Sequence, residues 1–331
     1  MTIDRLRLPV LVLGFNRPER LRELLLSLPL NRISQVFISL DGPRSNRSSD
    51  TISCAMSLQV AQDFQIIHPT TIRQAKENQG TALAVPAGID WFFEHVEFGI
   101  ILEDDCKPSQ SFFDFAAVLL PYYKQDQRIL MVSGNNYHYD RLLDPNVYVF
   151  SRHGHIWGWA TWRRAWKIYD HSMADWSELR RSSWLDEVCS GNKSAVRYWR
   201  WVFDQTVRDR VEAWDYRWTF AMWKVGGLSI VPPRNLVENT GFDEASTNTT
   251  ECPVWYQRIP RGPIQLPLLH PTRVEADEVL DRWTDINIFE TDLRGLRRAK
   301  QAMFRSLARV GLDRLALRLA SLLRSARKGS T

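Results

Sequence analysis

Cysteine is scarce and unpaired: the 331 residues hold four, Cys54, Cys106, Cys189 and Cys252, with no CxxC spacing. That argues against a disulfide framework and a cysteine zinc site, and predicts four free thiols. Long apolar runs are missing as well. Nothing approaches the roughly 18 residues needed to cross a bilayer, and the opening MTIDRLRLPVLVLGF lacks a signal-peptide layout, so a cytoplasmic protein is expected. Glycine-rich phosphate loops are absent too. The turn after the first apolar run, Gly14-Phe15-Asn16-Arg17-Pro18-Glu19-Arg20, is neither GxGxxG nor the P-loop pattern, which disfavours dehydrogenases and NTPases.

Acids are nearly missing from the C-terminal end. Residues 294–331 carry eleven Lys or Arg against one acid, Asp313, a net of +10, so residues 1–293 carry −5 of the chain's overall +5. The basicity belongs to the tail. A nucleic-acid enzyme more often gathers its basic groups around the cleft, so no nucleic-acid partner is expected. The tail reads as an amphipathic helix, with Phe304, Leu307, Leu315, Leu319 and Leu322 on one side and Arg305, Arg309, Arg318 and Arg324 largely on others. Such a helix can lie on anionic lipid or pack on protein, and contact with a membrane surface through residues 294–328 is one expectation.

What is present is informative. At 44% hydrophobic and 24% charged, the chain has the makings of a globular protein of one large domain or two modest ones. Short β-rich runs at residues 9–15, 35–40, 64–68, 98–102 and 129–133 alternate with helical patterns at 19–28, 80–95 and 112–123. That alternation predicts an α/β fold with a mostly parallel central sheet flanked by helices, and a Rossmann-like nucleotide-binding half over residues 1–136.

The run at 98–102 ends abruptly in three carboxylates, Glu103, Asp104 and Asp105. Ligands of open α/β sheets bind beyond the carboxyl ends of the strands. Three adjacent acids there repel one another, and a hard divalent cation with oxygen ligands is the usual remedy. The alternative is an acidic turn facing water. Three more polar positions follow predicted strands on the same edge: Arg17, Asp41 before Gly42-Pro43, and Asn78 with Gly80, where the backbone can approach a ligand at a helix start. Each has a plain structural alternative, a helix-terminal charge for Arg17 and a turn-forming Asp for Asp41. Together they argue for a site.

Beyond residue 136 the texture changes. Of fourteen Trp, eleven fall between Trp157 and Trp223. Aromatic faces stack on sugars and exclude water, and they also simply fill cores. His153 and His155 form an HxH pair whose spacing suits a structural role better than a metal one.

The series LGFNRPERL, FISLDGP, KENQGTALAVPAGIDWFF, GIILEDDCKPSQSFF and MVSGNN, continued by HIWGWATWRRAWKIYD and VPPRNLVENTGFDEAST, resembles GT-A-fold glycosyltransferases over roughly residues 8–250. The likeness is to bacterial family-2-like enzymes and to the N-acetylglucosaminyltransferase I group. It implies a metal-dependent, inverting transferase that moves a sugar from a UDP-sugar, UDP-N-acetylglucosamine or a related hexose donor, to a glycan or lipid-linked acceptor. By the same resemblance Asp105 is the direct ligand of Mn²⁺ or Mg²⁺, and Glu103 and Asp104 face the ribose and sugar. Asp41, Asn78 and Gly80, with Arg17, line the nucleoside and diphosphate pocket. Trp157, Gly158 and Trp159 lie over the donor sugar. The Trp214-Asp215 pair supplies the catalytic base, Asp215, whose alternative is an Asp paired with Arg217 or capping a helix. Related bacterial sequences carry a His late in this region where this chain has Asn248, so either His270 substitutes as a metal ligand, the metal is held more weakly, or the metal dependence is lost. The expected organisation is a GT-A domain at 1–255 with its acceptor half at 137–255, an extension at 256–293 and the basic tail at 294–331, the whole peripheral on the inner membrane face. Rivals are a sugar nucleotidyltransferase, for which GFNRPER makes a poor phosphate loop, and a non-catalytic sugar-nucleotide or lipid-binding protein.

Overall fold

The computed structural model describes residues 6–138, 144–211, 213–242, 252 and 254–292. Asn248 and the basic tail lie outside these residues. Ten strands are present among them: β1 Leu8–Gly14, β2 Ile33–Leu40, β3 Thr70–Gln74, β4 Phe98–Glu103, β5 Cys106–Pro108, β6 Ile129–Ser133, β7 Val149–Ser151, β8 Trp159–Trp162, β9 Leu228–Val231 and β10 Val237–Asn239. The longer helices are α1 Pro18–Ser27, α2 Ser48–Ile67, α3 Thr81–His95 and α4 Gln110–Tyr122. Three short ones follow, α5 Arg163–Trp166, α6 Trp176–Leu179 and α7 Trp184–Val188, then α8 Lys193–Thr206, α9 Asp215–Lys224, α10 Val254–Gln257 and α11 Glu278–Asn287.

Eight strands form one mostly parallel sheet in the order β3-β2-β1-β4-β8-β6-β9-β7, and β5 pairs with β10 in a separate two-stranded sheet. The α/β class and the helix-flanked, mostly parallel sheet agree with the sequence expectation. Residues Val10, Leu11 and Val12 of β1 and Ile100 and Leu102 of β4 are fully buried, as strands covered on both faces must be. β1 pairs in parallel with β2 and β4, with Leu13 beside Glu103, so the chain ends of β1, β2 and β4 share one edge. β8 runs antiparallel between β4 and β6, which sets Trp159 beside Ile101 and Ser133.

One strand differs from expectation. Residues 64–67 close α2, and the third strand is β3 at Thr70–Gln74. The apolar pair Ile66 and Ile67 is 83% and 63% exposed, whereas Asp50, Cys54, Ser57, Val60, Ala61 and Phe64 are buried at helical spacing. Period 3.6, read across 48–67, outweighs the short β-branched run.

Contacts divide the chain after Thr284. Residues 256–284 are part of the first unit and do not form a separate extension: Asn235 N–H donates to the Pro260 carbonyl at 2.9 Å, and Asp277 N–H to that of Phe150 at 2.8 Å. His138 Nε2 lies 3.0 Å from Thr284 Oγ1, and Ser151 Oγ donates to buried Asp281 at 2.5 Å. In the second unit, Thr291 N–H donates to the Asp285 carbonyl at 2.9 Å. No helix of the described residues is long and apolar enough to cross a membrane.

Candidate functional site

A cleft of about 650 Å³ opens along the edge where β1, β2 and β4 end, within the range of small-ligand sites. Its walls include Gly14 to Arg17, Asp41, Asn78 to Thr81, Glu103 and Asp104, so most of the residues singled out in the first half of the chain meet there. Strand topology does this, since each follows or closes a strand of the same edge.

Arg17 sits at the N-cap of α1, before Pro18, which suits the first helical position because its missing N–H would have had no partner there. Its side chain turns back across the edge. Nη2 pairs with Asp104 Oδ1, Nε donates to Asp104 Oδ2 at 3.2 Å, and Nη1 to Asp105 Oδ2 at 3.3 Å. Arg17 is thus the cation bonded to these acids, and Arg20 adds a weaker pull on Asp104. Burial, then Asp105 and Asp104, push the Glu103 carboxyl up to about 8, with Arg17 opposing and Asp215 adding to the rise. Asp104 is pushed up to about 7, by burial first, with Arg17 pulling down and Asp105 pushing up. Desolvation and like charge together outweigh the ion pair, so the edge is short of positive charge.

Asp41 is buried and fully engaged. Oδ1 accepts from the N–H groups of Gly42 at 2.8 Å and Gln79 at 2.9 Å, while Oδ2 accepts Asn78 Nδ2 at 2.8 Å and Gly80 N–H at 3.1 Å. Gly80, the N-cap of α3, has φ +72°, in the left-handed region that glycine enters at no steric cost. The loop 78–80 is therefore tied to the end of β2 by one carboxylate.

Asp105 is held from the other side. The N–H of Thr240 donates to its carbonyl at 2.8 Å and Thr240 Oγ1 at 3.0 Å, while the β5–β10 pairing brings Gly241 so close that a Cβ there would strike Asp105 Oδ2. Gly158, at φ +82°, packs on Val237 in the same way and takes Gly134 N–H on its carbonyl at 2.8 Å.

Asp215 heads α9, and its charge is felt by Glu103. Burial raises its carboxyl above the usual range, with the N–H groups of Asp215 and Tyr216 and then Arg217 pulling the other way. Arg217 is not its ion-pair partner. That guanidinium pairs with Asp209 and donates to the carbonyls of His171 and Ala213, each at 2.8 Å. Trp214 stacks on Trp159 at 5.9 Å and 22°, and Trp159 in turn borders β4.

Two expectations fail on geometry. Trp159 is 1% exposed and walled in by Trp166, Trp214 and Trp218, so it has no face for a sugar. Trp157 is only half-buried, against Tyr137, Phe242 and Tyr256. His270 stacks on Tyr122 at 3.9 Å and accepts or donates a bond to Tyr148 at 2.7 Å, beside β7. β7 lies four strands from β4, roughly 19 Å at about 4.8 Å per strand, too far to share an ion with Asp105. His153 and His155 are buried among rings, Trp199 and Trp223 for the first and Tyr137 for the second.

The sequence reading missed part of the cleft: Asn16 as a contact, Arg44, Asp50 and Arg73. Arg44 lies 5.2 Å over the Phe15 ring and clamps Asp50 through Nε at 2.5 Å and Nη2 at 2.9 Å, and Asn16 Nδ2 adds a bond at 2.9 Å. Only recognition of α2 would have pointed to Asp50, since its buried position follows from helical spacing.

Among the described residues no group of three His, Cys, Asp or Glu converges as a ready-made metal shell. The donor set still fits a hard divalent ion whose remaining ligands come from a bound anion: carboxylate oxygen at Asp105, beside two more carboxyls, although Arg17 holds one of its oxygens at 3.3 Å. No family model matches this chain, and no curated protein sequence matches it.

Proposed function

We propose that the chain is a GT-A glycosyltransferase that takes a UDP-sugar, UDP-N-acetylglucosamine or a related hexose donor, and inverts the anomeric centre. The observation that carries the reading is the convergence of Arg17 with Glu103, Asp104 and Asp105 at one sheet edge, with Asp215 within electrostatic reach.

In this reading Asp105 would hold Mn²⁺ or Mg²⁺ together with the donor's diphosphate. When bound, the ion supplies Lewis-acid neutralisation of the charge on the departing nucleoside diphosphate. Arg17 binds the same diphosphate, exchanging part of its hold on Asp105 for phosphate oxygens. Glu103 and Asp104 orient the ribose and sugar, and Trp157 covers the sugar. An acceptor hydroxyl attacks C1 from the side opposite the phosphate. The new C1–O bond forms as the C1–O bond to phosphate breaks, and Asp215 takes the hydroxyl proton, work that a raised pKa favours. The acceptor is a glycan or a lipid-linked sugar. Membrane-surface contact through residues 294–328 and a cytoplasmic, peripheral location belong to the same proposal. Deleting the chain after Asp292 is expected to reduce co-sedimentation with anionic liposomes.

The test is release of UDP from a panel of UDP-sugars, with Mn²⁺ and with EDTA. Metal-dependent release from at least one donor is expected, and none from any donor refutes the reading. UTP-dependent pyrophosphate release instead would assign the nucleotidyltransferase class.

A further inference from the structure

The longest helix of the described residues, α2, is apolar on both faces. Cys54, Val60, Ala61 and Phe64 are buried, and α2 packs against α1 and β3. Ile52, Met56, Ile66 and Ile67 face outward, 67%, 48%, 83% and 63% exposed. Only Asp50 and Asp63 of its twenty residues are charged, and Asp50 is buried, whereas ten-residue α1 carries Glu19, Arg20, Arg22 and Glu23. A helix that faces water normally turns charged and polar side chains outward. The outer face of α2 is instead suited to being covered.

The outward residues also keep a register. Ile52, Met56, Gln59, Asp63 and Ile66 alternate between steps of four and three, the seam along which one helix packs on another. At its middle Gln59 Nε2 donates to Asp63 Oδ1 at 2.8 Å, which leaves the amide's second N–H and the other carboxylate oxygen to meet a neighbour. Charge decides among occupants. A lipid surface calls for Lys or Arg beside the apolar groups, and α2 has neither. Residues 294–331, at a net of +10, call for acids, and this face offers one. A second copy brings an equally uncharged face, with a Gln amide for each acid. The exposed apolar side chains, on the order of 100 Å² apiece when fully open, give two copies about half of the roughly 1,000 Å² that a specific interface needs. The exposed polar side chains beside them supply the rest.

We propose that the chain forms a two-fold dimer through α2, the two helices antiparallel. Met56 of one copy then packs on Ile66 of the other, and Gln59 of one copy donates to Asp63 of the other, each pair occurring twice as the symmetry requires. Apolar groups meet apolar groups at both ends of the seam. The polar pairs between them fix the register. The inference concerns a face apart from the cleft and does not depend on the reaction assigned there.

Sedimentation velocity over a range of concentrations tests it, on wild-type protein, Ile66→Asp and Val279→Asp. Wild type is expected to move from one chain toward two as concentration rises. Ile66→Asp, which places a charge in the seam, should weaken association about tenfold or more, the scale of losing an interface anchor. Val279→Asp, at a 69% exposed apolar position on α11, should leave association unchanged. Both sites are exposed in the single chain, and a thermal melt like that of wild type shows that each variant is folded. Oxidation of a mixture of Met56→Cys and Ile66→Cys proteins should join one to the other and neither to itself, since like positions stand about 15 Å apart along the helices in this register. A wild type that stays a single chain at every concentration, association that Ile66→Asp leaves untouched, or Met56→Cys joined to itself overturns the proposal. Binding of single chains to anionic liposomes that Ile66→Asp abolishes assigns the face to lipid instead, and overturns it as well.

Discussion

Arg17 and Asp104, 87 positions apart, form a two-pronged ion pair at the mouth of the cleft, with Asp104 almost fully buried and the guanidinium partly exposed. Asp104 titrates in the folded protein near 7, above its unfolded value of 3.8, so its burial costs stability progressively as pH rises between those values. Removing Arg17 moves the folded value higher still. Arg17→Ala is expected to cost about 1–2 kcal/mol more near pH 8 than near pH 5, where Asp104 is protonated with or without its partner. Urea unfolding at the two pH values checks this, and a loss independent of pH would refute it. Arg17→Lys should restore the charge without the fork and recover only part.

Asp105 and Asp215 should separate binding from chemistry. Asp105→Ala is expected to abolish Mn²⁺-dependent UDP binding. Asp215→Asn, an isosteric change on another element, should leave that binding within a few-fold and reduce transfer about a hundredfold or more, the scale of general-base loss. Calorimetry and a UDP-release assay on the same preparations measure the two. Equal loss of UDP binding in both variants refutes the division.

Asp50 is the opposite electrostatic case. The Arg44 side chain above all, with burial opposing and Asn16 helping, holds its carboxyl at about 2, below the unfolded value of 3.8. Its contribution is therefore complete above the unfolded value and is lost as pH falls through about 2. Since Arg44 is partly exposed, solvent screening trims it to about 1–2 kcal/mol. Asp50→Asn should lower stability by that amount at neutral pH and flatten the acid limb of a stability-versus-pH curve between about 4 and 2. It should also loosen Arg44 from the cleft wall.

Trp159 and Trp157 are two residues apart and should behave differently. Trp159→Ala empties a fully buried site and is expected to cost about 3–5 kcal/mol in urea unfolding. Donor affinity of the folded fraction should persist. Trp157→Ala should cost little stability and weaken binding of a UDP-sugar more than of UDP. The reverse pattern would return Trp159 to the sugar site.

Much of this was legible in the residues themselves. Unbroken runs such as Val10 to Leu13 and Ile100 to Leu102 can only be strands buried on both faces, and the acids that end the second run had to emerge at the carboxyl edge of the sheet. Alternation with helices dictated parallel order, hence a shared edge for Arg17, Asp41, Asn78 and Glu103. What stayed illegible were relations across the chain. Asp41 looks the same in a sequence whether its oxygens face a ligand or the N–H donors of Gly42 and of the 78–80 loop. Trp159 reads as a binding aromatic until antiparallel β8 seals it among other indoles. His270 becomes irrelevant to Asp105 only once the strand order puts four spacings between them. Local pattern decides burial and strand ends because those depend on neighbours in sequence. Hydrogen-bond saturation, ion pairing over 87 residues and distance across a sheet depend on which segments fold side by side, and only the tertiary structure decides that.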